Sequence, residues 1–248
     1  MTESIRAALR EGRPAGSWLS IPSPQVAEQV AESGVDFVVI DTEHAPASLE
    51  TVEAMVRAVD AADAEAAALV RVAWNDHVRV KRVLDTGAAG VLAPQISTPG
   101  EAEALVEATR YPPEGRRGVA GARASNYGRS LSAYVDSAND EVATVGQVES
   151  AAAVENAAAI ASVDGIDSLL VGPADLSASL GVFGEYESEA FLDAVDTVLA
   201  GSSVSVGTLA TAPDQVDYWA ELGFDYQIVG TDAGYLARGA AASLERYR

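Results

Sequence analysis

The chain of 248 residues has no cysteine, one lysine, and no apolar run long enough to cross a bilayer. Each absence removes a class of chemistry. Without cysteine there is no disulfide, no thiolate metal site and no thiol nucleophile. Without about 20 consecutive apolar residues no helix spans a membrane. The stretch Met1 to Gly12 is charged and helical in character and lacks the apolar core of a secretory leader, so a cytoplasmic protein is expected. The single lysine, Lys81, falls inside the helical pattern Val80-Lys81-Arg82-Val83, away from any strand end. Imine chemistry, which needs a desolvated lysine in the site, is therefore not expected. Positive charge is scarce overall: 16 bases, 15 of them arginine, face 37 acids, for a net charge of −21. Nucleic acid and anionic membrane surfaces are poor partners for such a chain. A surface this acidic and this poor in lysine suggests adaptation to high salt, where screening removes self-repulsion.

What is present is a regular alternation. Apolar strand-like runs at Gly16–Leu19, Phe37–Asp41, Ala68–Val72, Val91–Pro94, Thr144–Glu149, Ser168–Val171, Ser205–Leu209 and Tyr226–Val229 alternate with helical patterns. The helices fall near Pro24–Glu32, Leu49–Asp60, Asp76–Asp85, Pro99–Ala108, Ala151–Ala161, Glu187–Ala200, Pro213–Leu222 and Ala233–Tyr247. Eight of each in one α/β chain of this length predict a single (β/α)8 TIM barrel domain over residues 1–248. A doubly wound open sheet is the runner-up, but no Gly-rich phosphate fingerprint follows the first strand. The segment Tyr111 to Asp140 breaks the rhythm and concentrates Arg116, Arg117, Arg123 and Arg129. It reads either as a lid, binding loop or subunit contact, or as arginines paired with the acidic surface.

In a barrel the chemistry sits where the strands end at their C-termini. Two strands end on carboxylates, Glu149 and Asp175, separated by one helix, so a right-handed βαβ unit brings both to the same rim. Alone, each reads as a helix cap or first-turn acid. Together they suit a hard divalent cation such as Mg²⁺ or Mn²⁺. The same rim receives Trp18, Asp41-Thr42-Glu43-His44, Arg71, Gln95 and Gln147. His44, beside Asp41 and Glu43, is a candidate acid–base residue, with a surface histidine as the equal alternative. Arg71 at a strand end requires an anionic partner, protein or substrate. Gly172-Pro173-Ala174-Asp175-Leu176 opens a helix whose N–H groups at Ala174 and Asp175 suit a carboxylate or phosphate.

These motifs resemble the HpcH/HpaI aldolases, metal-dependent class II pyruvate aldolases of the 4-hydroxy-2-oxoheptanedioate and 2-dehydro-3-deoxyglucarate type, within the phosphoenolpyruvate/pyruvate barrel superfamily. The resemblance rests on Asp41-Thr42-Glu43-His44-Ala45, Val70-Arg71-Val72, Lys81-Arg82-Val83-Leu84-Asp85-Thr86-Gly87-Ala88, Tyr111-Pro112-Pro113-Glu114-Gly115-Arg116-Arg117-Gly118, Gln147-Val148-Glu149-Ser150 and Val171-Gly172-Pro173-Ala174-Asp175-Leu176-Ser177. It implies that Glu149 and Asp175 are ligands of a divalent cation, Mg²⁺, Mn²⁺ or Co²⁺. It implies that Arg71 stabilises the enolate oxygen and that His44, steered by Asp41, moves protons. Trp18, Gln147, Gly172, Pro173, Ala174 and Asp175 would bind pyruvate. The implied reaction is reversible retro-aldol cleavage of a 4-hydroxy-2-oxo acid to pyruvate and an aldehyde through a metal-stabilised enolate. The implied partners are a small 2-oxo acid, an aldehyde and further copies of the chain, commonly in a hexamer. Two other readings compete: a CoA-thioester lyase of the malyl- or citramalyl-CoA type, and a non-catalytic carboxylate-binding barrel.

Overall fold

The computed structural model describes residues 4–11 and 13–248, so Met1–Glu3 and Gly12 of the expected N-terminal helix lie outside the described residues. A short helix, α1 (Ile5–Glu11), precedes β1 (Ala15–Leu19), α2 (Pro24–Ala31), β2 (Phe37–Asp41), α3 (Leu49–Ala61), β3 (Ala67–Arg71), α4 (His77–Asp85), β4 (Gly90–Ala93) and α5 (Pro99–Thr109). A 3-10 turn (Arg123–Ser125) and α6 (Leu131–Glu141) lead to β5 (Ala143–Val148), α7 (Ala151–Ala161), β6 (Ser168–Val171), α8 (Pro173–Ser179) and α9 (Glu189–Gly201). Then follow β7 (Ser205–Leu209), α10 (Pro213–Leu222), β8 (Tyr226–Thr231) and α11 (Asp232–Tyr247). The eight strands pair in chain order, all parallel, and β8 returns to β1 to close the (β/α)8 barrel.

Parallel strands covered on both faces need continuous apolar sequence. Phe37-Val38-Val39-Ile40 supplies it in β2, where every residue is buried. Polar caps stop the helices from running back into the strands. Ser48, Asp76 and Ser150 accept N–H bonds at the starts of α3, α4 and α7, and Thr98 with Glu101 forms a capping box on α5. The core has two layers. Trp18, Phe37, Leu69, Leu92, Leu170 and Tyr226 fill the barrel, and a larger shell packs between strands and helices. Ile5 and Leu9 of α1 join the inner layer, so α1 plugs the N-terminal end of the barrel.

Tyr111 to Asp140 is not a uniform loop, because it holds the 3-10 turn and most of α6. It joins α5 to β5 and therefore lies at the N-terminal end of the barrel, away from the strand C-termini. Three of its four arginines pair with acids. Arg117 is buried between the rings of Tyr111 and Tyr134 and reaches Asp85 at 3.5 Å. Arg123 pairs with Asp60 and donates to the Thr86 carbonyl, while Arg116 lies 3.5 Å from Glu107. Arg129 donates to the Asn126 side chain at 3.4 Å.

One flank is uncovered. β8 alternates buried and half-buried residues, whereas β2, β4, β5 and β6 are buried throughout. The reason is α11, which buries only Asp232 and leaves Leu236, Leu244 and Tyr247 exposed.

Candidate active site

The register of the barrel sets the rim. Asp41 pairs with Arg71 across β2 and β3, so an acid and a base end neighbouring strands. Arg71 is buried and its guanidinium is held on three sides. Nε donates to Asp41 Oδ1 at 2.9 Å and Nη2 to Oδ2 at 2.8 Å, a bidentate fork. Nη1 lies 2.7 Å from Glu43 Oε2. The third side is aromatic: Cζ sits 4.6 Å from the ring centroid of Trp18, which closes the inside of the barrel below.

Asp41 also accepts the backbone N–H of Glu43 at 2.9 Å and of His44 at 3.4 Å. Burial pushes the Asp41 carboxyl up, but the Arg71 bond and charge outweigh it and leave it below the usual carboxylate range. Asp41 thus reaches His44 through the main chain, and its carboxylate is engaged by Arg71. The carboxylate nearest the imidazole is Glu43, whose Oε1 lies 3.9 Å from His44 Nε2. The His44 side chain is 71% exposed. Burial raises the Glu43 carboxyl, with Asp41 and Asp175 adding to the shift and Arg71 and His44 opposing it.

Across the mouth, β5 ends at Val148 and Glu149 follows it, one residue earlier than the strand expected from sequence. Glu149 is buried at 4% exposure. Its Oε1 accepts the Gln95 backbone N–H at 2.7 Å. Burial, with the charges of Asp175 and Glu43, raises its carboxyl to about 7, while Gln95 and Arg71 act in the opposite direction. Gln147, two residues earlier, is buried, and its Oε1 has no hydrogen-bond partner among the described residues. Gly172 makes room for both side chains. A Cβ there would lie 2.7 Å from Gln147 Nε2 and 3.2 Å from Glu149 Oε2. Pro173 starts α8 after Gly172, and Ala174 and Asp175 are exposed in its first turn.

The rim therefore gathers Asp41, Glu43, Glu149 and Asp175 around one guanidinium, an excess of negative charge in a partly dry site. Such a set fits a hard divalent cation: oxygen donors only, and a buried carboxyl raised by its acidic neighbours. No group of three or more His, Cys, Asp or Glu capable of holding a metal occurs among the described residues. The fit is to a cation that keeps waters, with two protein carboxylates, and not to a closed zinc site.

Two features escaped sequence reasoning. Glu43 is legible in sequence as a rim acid beside His44, but its contact with Arg71 depends on the turn at residues 42–45 and on β3, which no local pattern shows. Gln95 falls at the rim by its place after β4, but nothing in Pro94-Gln95-Ile96 signals that its backbone N–H serves Glu149. A cavity of about 1160 Å³ lies at the opposite end among Asp36, Asp63, Glu65 and Glu141 and includes none of these residues.

A sequence model of the HpcH/HpaI aldolase/citrate lyase family matches residues 15–238. The chain is 41% identical over 249 residues to a 4-hydroxy-2-oxovalerate aldolase of Novosphingobium aromaticivorans, covering 99% of this chain and 94% of that one. It is 38% identical over 253 residues to a 4-hydroxy-2-oxo-heptane-1,7-dioate aldolase of Escherichia coli, covering 100% and 95%. The crystal structure of a HpcH/HpaI aldolase/citrate lyase family protein from Burkholderia cenocepacia J2315 superposes with a TM-score of 0.95 at 38% identity, covering all of both chains.

Proposed function

This chain belongs to the HpcH/HpaI aldolase/citrate lyase family, and we propose that it is a metal-dependent pyruvate aldolase that cleaves 4-hydroxy-2-oxo acids reversibly to pyruvate and an aldehyde. The observation that carries the reading is the pairing of Glu149 and Asp175 at one rim with the clamped Arg71. Glu149 and Asp175 would hold Mg²⁺, Mn²⁺ or Co²⁺, which when bound supplies Lewis acidity and a template for the oxo acid.

The protein's own groups do the rest. Of the five N–H donors of a guanidinium, Arg71 gives two to Asp41 and ion-pairs with Glu43 through Nη1 at 2.7 Å. The N–H groups that remain meet the negative charge that develops on the C2 oxygen. His44, directly or through a water, takes the proton of the C4 hydroxyl. The C3–C4 bond then breaks, the aldehyde leaves, and its electron pair remains in the enolate of pyruvate. Protonation at C3 completes pyruvate. Asp41 and Glu43 keep Arg71 in place. The N–H groups of Ala174 and Asp175 receive the substrate carboxylate in the turn that Gly172 and Pro173 form. The unpartnered Gln147 Oε1 suits a substrate hydroxyl or a water, and Trp18 forms the apolar floor.

The CoA-lyase reading needed the arginines of Tyr111–Arg129 for phosphates. Arg116, Arg117 and Arg123 are paired with acids at the far end and give it no support. No described helix is long and apolar enough to cross a membrane, and we assign the protein to the cytoplasm. Self-association into a homo-oligomer, a hexamer by family resemblance, is favoured by the uncovered outer face of β8 and the apolar residues on α11.

Pyruvate release from a panel of 4-hydroxy-2-oxo acids in high salt, with EDTA and then with each cation restored, tests the reading. Loss with EDTA and recovery with metal are expected, and the panel reveals the preferred aldehyde. Activity indifferent to EDTA would overturn the carboxylate pair. The same assay without added salt tests the halophilic reading of the acidic surface; unchanged activity and melting temperature would count against it.

A further inference from the structure

Glu149 is oriented by a strand it does not belong to. β4 ends at Ala93, and Pro94-Gln95-Ile96 carries the chain out toward α5. Gln95 has φ +58°, in the left-handed region that Gly and Asn favour. Only Asn126 and Tyr127 share this property among the described non-glycine residues, and both lie at the other end of the barrel. A left-handed residue at a site is held there by its surroundings and is a reason to ask what it does.

Its effect is to turn two successive N–H groups toward the end of β5. Gln95 N–H donates to Glu149 Oε1 at 2.7 Å, and Ile96 N–H donates to the Gln147 carbonyl at 3.2 Å. A backbone donor has no side-chain rotamers, so it fixes the carboxylate more firmly than a side chain would. On the other flank Gly172 leaves room beside Oε2, and among the described residues the only hydrogen bond to the carboxylate is the one at Oε1.

We propose that Gln95 is a positioning residue whose left-handed backbone, not its side chain, sets the Glu149 carboxylate with Oε2 presented to the cation. The inference rests on the reading of Glu149 and Asp175 as cation ligands. Residues that accept the left-handed region should serve as well as glutamine, and a β-branched residue should not.

Mn²⁺ binding to the full chain, followed by electron paramagnetic resonance of the free ion, reads this without turnover. Gln95→Gly and Gln95→Asn are expected within about twofold of the parent affinity. Gln95→Val is expected to bind about tenfold more weakly, with an unchanged circular dichroism spectrum. Should Gln95→Val not fold, the comparison of Gln95→Ala with Gln95→Gly replaces it. A weaker alanine variant is then expected, and equality overturns the inference. Parent-like affinity in Gln95→Val, or an equal loss in Gln95→Gly, overturns the backbone role and leaves the ligand assignment standing. A parent protein that binds no Mn²⁺ brings down the ligand assignment and this inference with it.

Discussion

The two ends of the barrel treat buried charge in opposite ways. At the N-terminal end Asp167 is fully buried and more than matched. Its Oδ1 receives Arg6 Nε at 2.8 Å and Arg10 Nε at 2.6 Å, and its Oδ2 receives the Thr144 N–H at 2.8 Å. At the C-terminal end four carboxylates share one guanidinium, and Glu149 is pushed up to about 7. Folding alone completes the first arrangement, whereas under the proposed function a divalent cation completes the second. Size points the wrong way, since a cavity of about 1160 Å³ belongs to the end whose buried charge is already balanced. The contrast separates a charge that serves stability from one that serves chemistry.

The comparison can be broken most severely at the C-terminal rim. Glu149→Ala or Asp175→Ala should lower metal-dependent pyruvate release by about 10³-fold or more, while the metal-free melting temperature stays level or rises. Undiminished turnover in either variant would sink the ligand assignment. Next comes Asp167→Asn, which leaves two arginines facing a neutral amide. Loss of one partner of a buried pair costs about 3 kcal/mol, a fall in melting temperature of roughly 10 °C, with kcat of the folded fraction unchanged. A kcat loss without a stability loss would show that the two ends are not divided in this way.

The smallest effect is in pH. Glu149 has its folded value raised from 4.5 to about 7, chiefly by burial. Its contribution to the stability of the metal-free protein is therefore complete below about pH 4.5 and is lost as pH rises through 7. A cation competes with that proton, so its apparent affinity should weaken about tenfold per pH unit below 7. The gain in melting temperature on adding Mg²⁺ should accordingly be larger at pH 8 than at pH 6, as calorimetry can measure. A gain independent of pH would mean that Glu149 does not exchange a proton for the cation.

Much of this was legible in the sequence because it is periodic. Runs such as Phe37–Asp41 and Ser205–Leu209 match their strands residue for residue, and Phe37–Ile40 is apolar throughout because β2 is buried on both faces. Elsewhere the ends moved by a residue or two, as at β3 and β5. The helix α6 was hidden in Tyr111–Asp140 because only Ala138 of its eleven residues is buried, so little apolar stripe marks it. At the rim, residue types marked Arg71 and Glu149, because charge at a strand end needs a partner, whereas Asp175 lies beyond the end of β6, exposed in the first turn of α8. The Glu43–Arg71 contact and the left-handed Gln95 depend on how loops from different strands meet. No local pattern in Asp41–His44 or Pro94–Ile96 encodes that meeting.

Arg71, fastened by Asp41 at one edge, Glu43 at another and Trp18 beneath, has no conformational freedom left to give up. The rotamer entropy of a free arginine is worth about 2 kcal/mol. Here it was lost when the barrel folded, long before any ligand arrived. Under the proposed function, an encounter with substrate then needs only translation and rotation of the small molecule, with the guanidinium as a template fixed in advance.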